Sequence, residues 1–595
     1  MESRYGQITH LLTRWGEVID KDCPLPEYPR PQLKRENWRC LNGVWEYAIC
    51  EGITDNQPDK YDGDILVPFS PESLLSGVER QLLPGDTLWY RREVHFDAVE
   101  SGKRLLLHFG AVDQSCKVYV NGQKAGSHEG GYWPFYFDIT GLVNDGKNII
   151  SISVTDDADK GIEAYGKQKL YEGGIWYTAQ SGIWQTVWTE IVPDEYIESV
   201  KITPRCASFE VEFDIKYSGK ETKKQPVTVR VYNELEHGGE KLVSEGQYDS
   251  GTFSLPMTDF RYWSISDPFL YTVKINAGAD EVESYFGMRE FSIIKCADGH
   301  PRLALNGEVI FHSGLLDQGY WSDGMYTPPA DDAMIWEIKK IKELGFNMLR
   351  KHIKIEPLRW YYHCDRLGML VWQDFVSGGG PYDQLTTRYL PFIGMKIKDE
   401  NNYKRFGRVD AKGRVVFERD MKRTVDLLYN TVCLAVWVPF NEGWGQFDSV
   451  RIAGEVRALD DTRSIDHASG WHDQHIGDFA SHHVYYKPFR MKRDKHKRVQ
   501  ALTEFGGYSC PYPGHMATEK LFGHRMFDDI KTFNTAVEKL YMTELVPKLK
   551  HGLSAAVYTQ VSDIEEEVNG LFTYDRAKIK IDTEMMKRLN NELIK

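Results

Sequence analysis

The sequence predicts a multidomain chain of mixed β and α/β class: two β-sandwiches followed by a C-terminal (β/α)8 TIM barrel. Three observations carry this expectation. At 595 residues the chain is too long for one hydrophobic core. Up to about residue 295 it reads as short strands separated by turn residues. Beyond that point the period changes, and amphipathic helices alternate with short apolar strands.

The first unit is placed at 1–195, an N-terminal extension followed by a sandwich from about residue 36. RLLLHFG (104–110), CKVYVNG (116–122) and NIISISV (148–154) are short apolar strands, with turns such as Asn121-Gly122 and Glu172-Gly173-Gly174. The second unit, 196–295, holds YIESVKI, FEVEFDI, PVTVRVY, GTFSL and LYTVKI, with loops at Ser218-Gly219-Lys220 and Glu236-His237-Gly238-Gly239. About 100 residues and some seven strands suit an immunoglobulin-like sandwich. The third unit, 296–595, offers eight strands: 309–314, 346–350, 369–374, 434–440, 463–468, 481–486, 500–505 and 554–560. Helices are expected over 331–344, 356–367, 414–430, 446–459, 529–550 and 581–593. Eight strands in about 300 residues suit a (β/α)8 barrel.

Composition narrows the function classes. The net charge of −14 speaks against a nucleic-acid partner. Lys and Arg cluster at 491–498, a short run expected to be a solvated barrel loop. No apolar run reaches membrane-spanning length, so no membrane partner is expected. MESRYGQITHLLTRWGEV carries no signal segment, and a cytoplasmic location is expected. The nine Cys show no CxxC spacing and make no disulfide framework. The 13% aromatic content suits either a sugar-binding surface or a β-rich fold. His467, His472, His475, His482 and His483, with Asp473 and Asp478 between them, are a weak ligand signal. With no HExxH, no GxGxxG and no GxxxxGK[ST], no metal and no cofactor are expected.

Barrel catalysis sits at the C-terminal ends of the strands. That rule selects His352 after strand 2, Asp374 ending strand 3, and Asn441 and Glu442 after strand 4. It also selects His467 at strand 5, His483 at strand 6 with Tyr485 just after, Glu504 ending strand 7, and Tyr558 and Gln560 ending strand 8. Cleaving a glycosidic bond takes two carboxyl groups flanking it, one protonated and one ionised. Glu442 and Glu504 supply such a pair from opposite sides of the barrel mouth. VWVPFNEGWG runs from a buried strand straight into Asn441-Glu442, and Glu504 precedes two glycines that allow close ligand approach. A surface or salt-bridged role is the plain alternative for either Glu. Asn441 offers an amide to a sugar 2-hydroxyl, or else a structural bond at the strand end. Arg350 orders the carboxylates or forms a buried structural pair. For His352, His467, Asp374 and Tyr485, sugar contact and structural hydrogen bonding stay equally open.

Four segments of the first unit are distinctive: Leu88-Trp89-Tyr90-Arg91-Arg92, Val118-Tyr119-Val120-Asn121-Gly122, Gly130-Gly131-Tyr132-Trp133-Pro134-Phe135 and Ser181-Gly182-Ile183-Trp184. On them the chain resembles glycoside hydrolase family 2, which holds β-galactosidases, β-glucuronidases and β-mannosidases, and they are similar to the family's jelly-roll sugar-binding sandwich. In the barrel, Asn347-x-x-Arg350-x-His352 resembles the strand 2 segment. Asn441-Glu442 is similar to the Asn and acid/base Glu, and Glu504-Phe505-Gly506 to the nucleophile segment. His483-x-Tyr485 resembles an Asn-x-Tyr segment with His replacing Asn, whose Tyr the family places near the nucleophile. The resemblance implies a retaining, exo-acting β-glycosidase working by double displacement on a carbohydrate substrate.

The sugar is less determined. Val557-Tyr558-Thr559-Gln560 replaces the usual Trp segment, with Tyr558 expected to stack below a sugar. Trp372-Gln373-Asp374 differs from the usual galactosidase segment, leaving Asp374 as a candidate for sugar hydroxyls. No Asn-x-Lys signature for a sugar carboxylate is evident, which lowers β-glucuronidase. YTQVSDIEEEVNGLFTYDR (558–576) resembles a β-galactosidase-like branch. A β-galactosidase is therefore ranked first, ahead of β-glucuronidase, β-mannosidase and arabinosidase. A non-catalytic carbohydrate-binding protein is the rival of another class. A homo-oligomer, with a first-domain loop reaching a partner's site, stays open beside a monomer.

Overall fold

The computed structural model describes residues 11–171, 173–218, 225–234, 239–491 and 493–594. The first ten residues, Glu172, Lys492 and parts of the loops at 218–220 and 236–239 lie outside the described residues.

The first unit is two facing antiparallel sheets. One orders Trp38–Cys40, Val187–Pro193, Lys103–Phe109 and Phe135–Asp138; the other orders Gly63–Val67, Gly43–Cys50, Thr87–Phe96, Gly146–Thr155, Ser115–Val120 and Gln123–Glu129. Alternation puts Ile150, Ile152 and Val154 inward, against Leu88, Tyr90, Val118, Leu105, Leu107 and Phe109. The second unit has seven strands in sheets of three and four around Val211, Phe213, Ile215, Val229 and Val273. This is the immunoglobulin-like sandwich expected from the sequence.

A three-stranded ribbon then leads into the barrel. Pro301–Leu305 turns back as Glu308–Val309 through Asn306 at φ 54° and Gly307 at φ 82°. Two consecutive positive φ values are what a two-residue Asn-Gly hairpin requires. The hairpin ends at Val309, so the first barrel strand is His312–Asp317 and starts later than the expected 309.

The eight parallel strands are His312–Asp317, Met348–Lys351, Leu370–Asp374, Leu434–Val438, Ser464–Ile465, Phe479–Val484, Val499–Gly506 and Leu553–Thr559, numbered here as barrel strands 1 to 8. Pairing runs 5-4-3-2-1-8-7-6, a nearly closed barrel. Strands 1 to 4, 7 and 8 are buried along their whole length, as parallel strands covered by helices are. The expected helix 529–550 is a correction: the regular helix is Ile530–Leu540, followed by a wide turn and a tight turn at Val546–His551. Pro547 explains the break, because its ring removes a donor and clashes with the preceding turn.

The first unit reaches over the barrel mouth of the same chain. The Tyr165 and Gly166 amides both donate to Ser377 O at 3.0 Å, Gly174 N donates to Glu566 and Thr178 N to Glu565. Tyr132, Trp133, Tyr177 and Trp184 form one buried cluster with the barrel's Tyr320, Tyr326, Ile353 and Trp444. Aromatic residues of the first unit's motifs thus hold it against the barrel. Among the described residues, no helix is long and apolar enough to cross a membrane.

Candidate active site

Strand 4 is a fully buried run, LAVWV, that leaves the barrel wall at Pro439 and Phe440. Glu442 follows with φ 51°, a left-handed backbone uncommon for a side-chain-bearing residue, and Gly443 and Gly445 continue the turn at positive φ. The turn is anchored by Glu442 N donating to Ser469 O at 3.2 Å. Non-glycine residues in this region persist where surrounding structure imposes them, often at functional sites. Glu504 lies near the end of strand 7.

The two carboxyl groups meet at one imidazole. His483 Nδ1 lies 2.8 Å from Glu442 Oε1 and 3.4 Å from Glu504 Oε2. One ligand-type atom from each of these residues falls within 4.8 Å of the others. Three such atoms so close could in principle hold a metal ion, but the 2.8 Å contact between His483 Nδ1 and Glu442 Oε1 is a hydrogen bond between the side chains themselves. Glu504 receives Tyr485 OH at 2.5 Å and Arg350 Nη1 at 3.3 Å. Those donors complement an ionised carboxylate. Glu442 has a different setting: burial pushes its carboxyl up to about 7, against the opposing pull of Lys167 and Arg350.

Beneath the pair lies a buried network. Arg350 is fully buried, donates to both Asp374 oxygens at 2.9 and 3.0 Å, to Asn441 Oδ1 at 2.9 Å and to Thr503 O at 3.1 Å. His352 Nδ1 lies 2.6 Å from Asp374 Oδ2, and burial holds its pKa well below the ordinary value. Asn441 Nδ2 is buried and finds no acceptor among the described residues. An amide with one end fixed by Arg350 and the other unpaired is suited to a ligand hydroxyl.

The carboxylate pair opens onto a cavity of about 720 Å³. His352, Glu442, Tyr485 and Glu504 line it directly. Several expectations for sugar contact are corrected. Tyr558 is buried in the wall against Phe505 and Tyr541; alternation puts its neighbour Thr559 on the cavity instead. His467 is 1% exposed, accepts from Gln474 N at 3.0 Å and faces Asp473. Asp374 and Arg350 are consumed by each other and by their neighbours, so they act through other side chains. The run 491–498 is not wholly solvated either: Arg498 is buried in ion pairs with Asp473 and Asp494.

Other cavity residues escaped sequence reading. Lys167 and Trp176 come from the first unit, some 300 residues from the carboxylates, and only tertiary packing joins them. Trp444 lies two residues after Glu442 within NEGWG, so its position in the motif was a usable signal. Lys167 is 95% buried, with its Nζ 4.9 Å from the Trp444 ring. Among the described residues no carboxylate comes within ion-pair distance of it. Burial lowers its pKa, while Glu567, Glu504 and Glu442 pull the other way.

Residues 79–187 match the model for the sugar binding domain of glycosyl hydrolases family 2, and 195–289 match that for glycosyl hydrolases family 2. A putative β-glucuronidase of Formosa agariphila is 28% identical over 48% of this chain and 34% of its own length. A β-galactosidase of Thermoanaerobacter pseudethanolicus is 24% identical over 73% of this chain and 56% of its own. The chain thus spans about a third to a half of these relatives. Among solved structures, a β-glucuronidase from an uncultured Clostridium sp. superposes with TM-score 0.73 at 16% identity, covering 94% of this chain and 99% of that one. One from Dictyoglomus thermophilum gives 0.73 at 17%, covering 95% and 98%. At these identities the likeness is one of fold.

Proposed function

We propose, from the premise that this chain belongs to glycoside hydrolase family 2, that it is a retaining, exo-acting β-glycosidase with Glu442 as general acid/base and Glu504 as nucleophile. The observation that carries this reading is the pair's proximity: a retaining mechanism needs its two carboxyl groups about 5–5.5 Å apart, and oxygens of Glu442 and Glu504 lie within 4.8 Å. An inverting enzyme needs a wider gap for water.

In the first step a Glu504 oxygen bonds to the anomeric carbon while the bond to the aglycone oxygen breaks. The proton of Glu442 passes to that leaving oxygen. In the second step Glu442, now a carboxylate, takes a proton from water. The hydroxyl bonds to the anomeric carbon and Glu504 is released. Tyr485 and Arg350 hold Glu504 at the reacting position, and the free Asn441 amide suits the sugar 2-hydroxyl. The first-unit loop carrying Lys167 and Trp176 walls one side of the cavity, which suits a terminal sugar.

Lys167 favours an acidic sugar, of which a β-glucuronide is the simplest. A buried cation without an ion-pair partner is costly, and a ligand carboxylate would complete it. That fit supports ranking the glucuronide ahead of the β-galactoside preferred from the sequence. The test is a panel of p-nitrophenyl β-glycosides carrying glucuronic acid, galactose, mannose, glucose and fucose, plus α-L-arabinopyranoside, with Glu504→Gln as control. Release from the glucuronide that disappears in the variant supports both statements. Release from the galactoside alone removes the acidic-sugar reading. Equal release by the variant removes Glu504 as nucleophile, and silence across the panel favours the non-catalytic carbohydrate-binding alternative.

A further inference from the structure

We propose that His483 is a positioning residue that stores the catalytic proton on Glu442: its ring is locked in the tautomer with a bare Nδ1, which accepts a hydrogen bond from the protonated carboxyl. This rests on the reading of Glu442 as acid/base.

The lock is a chain of hydroxyls behind the ring. His483 Nε2 lies 3.2 Å from Ser469 Oγ. Ser469 Oγ donates to Thr503 Oγ1 at 3.0 Å, and Thr503 Oγ1 donates to the His482 carbonyl at 3.4 Å. A hydroxyl has one proton, and a carbonyl can only accept. The chain therefore runs one way and leaves Ser469 Oγ as an acceptor, so the proton between it and the ring belongs to His483 Nε2. A neutral imidazole with Nε2 protonated has a bare Nδ1. That lone pair faces Glu442 Oε1 at 2.8 Å. Two lone pairs at that distance repel, so a proton lies between them; the ring is fully buried close to the Arg350 guanidinium, which disfavours an imidazolium, and on a neutral ring already protonated at Nε2 that proton is the carboxyl group's.

The backbone of Gly470 packs closely on one side of the ring. A Cβ on Gly470 would stand 2.2 Å from its carbons, and Gly470 has φ 81°, so glycine is needed there both for its backbone and for its missing side chain. The groups facing the pair are Glu504, Arg350, Asp374 and His482 around the imidazole, and Lys167 and Arg350 around Glu442. Burial lowers the imidazole to about 4 and raises the carboxyl to about 7, in agreement with a neutral ring beside a protonated acid.

The arrangement serves both half-reactions. The resting proton points at Nδ1 and is redirected to the leaving oxygen when the aglycone arrives. Once it has gone, the Glu442 carboxylate faces a bare ring nitrogen. That repulsion favours regaining a proton from the attacking water.

The direct test is nitrogen NMR of the whole protein labelled on histidine rings, near neutral pH, with His483 assigned by its loss in His483→Phe. The expected spectrum shows protonated Nε2 and unprotonated Nδ1; a protonated Nδ1 overturns the proposal. This readout needs no turnover, so it stands even if no glycoside in the panel is cleaved. Where turnover is measured, His483→Phe should lower the alkaline limb of the kcat/KM profile by about one pH unit. It should also slow an alkyl glycoside more than a dinitrophenyl one. Ser469→Ala, which frees the tautomer, should lower the same limb by less, and serves if the Phe variant does not fold. A limb that stays or rises overturns the proposal, because losing a donor to an ionised Glu442 would raise its pKa.

Discussion

Glu442 and Glu504 are chemically the same side chain, and their surroundings set them apart. Glu504 receives two donors, whereas Glu442 is buried beside a ring nitrogen. Acid catalysis requires Glu442 to hold its proton. Its pKa is raised to about 7, so the proton is present at lower pH and lost as pH rises through 7. The expected outcome is a kcat/KM that falls above about pH 7, read from a pH–rate profile on an unactivated glycoside. Glu442→Ala should cost about 10²–10⁴-fold on such a substrate and much less on a dinitrophenyl glycoside, whose leaving group needs no proton. Azide should restore part of the rate by replacing water in the second step. At this scale the sequence was most legible for residues just beyond buried strands, as Asn441 and Glu442 are. It misled at Tyr558, where a period of two turns one residue to the cavity and the next into the wall.

The strands position the site because one buried guanidinium ties strand 2 to strands 3 and 7 and to the turn after strand 4. Arg350 of strand 2 binds Asp374 of strand 3, Thr503 and Glu504 of strand 7, and Asn441 after strand 4. Arg350→Met would leave Asp374 buried without its cation, a change that costs about 3–5 kcal/mol. The expected result is a lower denaturation midpoint together with lost activity. Arg350→Lys should not restore either, since a single ammonium cannot reproduce the planar fork. A variant of unchanged stability would contradict the role given to the network. The apolar strands and amphipathic helices stood out by period alone. The Asn306-Gly307 hairpin and the break at Pro547 did not, because in each case local backbone chemistry interrupts a longer apolar pattern.

The cavity belongs to the whole molecule. The first unit supplies Lys167 and Trp176, and the barrel supplies the carboxylates. Lys167→Ala should raise KM for a β-glucuronide by about 10–100-fold, the loss of one charge-assisted contact, while leaving KM for a neutral β-glycoside nearly unchanged. Equal losses on both substrates would assign Lys167 to the electrostatics of the carboxylates instead. This part of the site was illegible in the sequence because periodicity reports which face of an element is buried, and says nothing of which distant loop covers it. The most direct test of the central claim is covalent trapping. The intact protein would be incubated with the 2-deoxy-2-fluoro glycoside of the sugar found active, then digested and mapped by mass spectrometry. A fluorosugar bound to Glu504 is the predicted result; label on another residue, or turnover with inverted configuration and no covalent adduct, would contradict it.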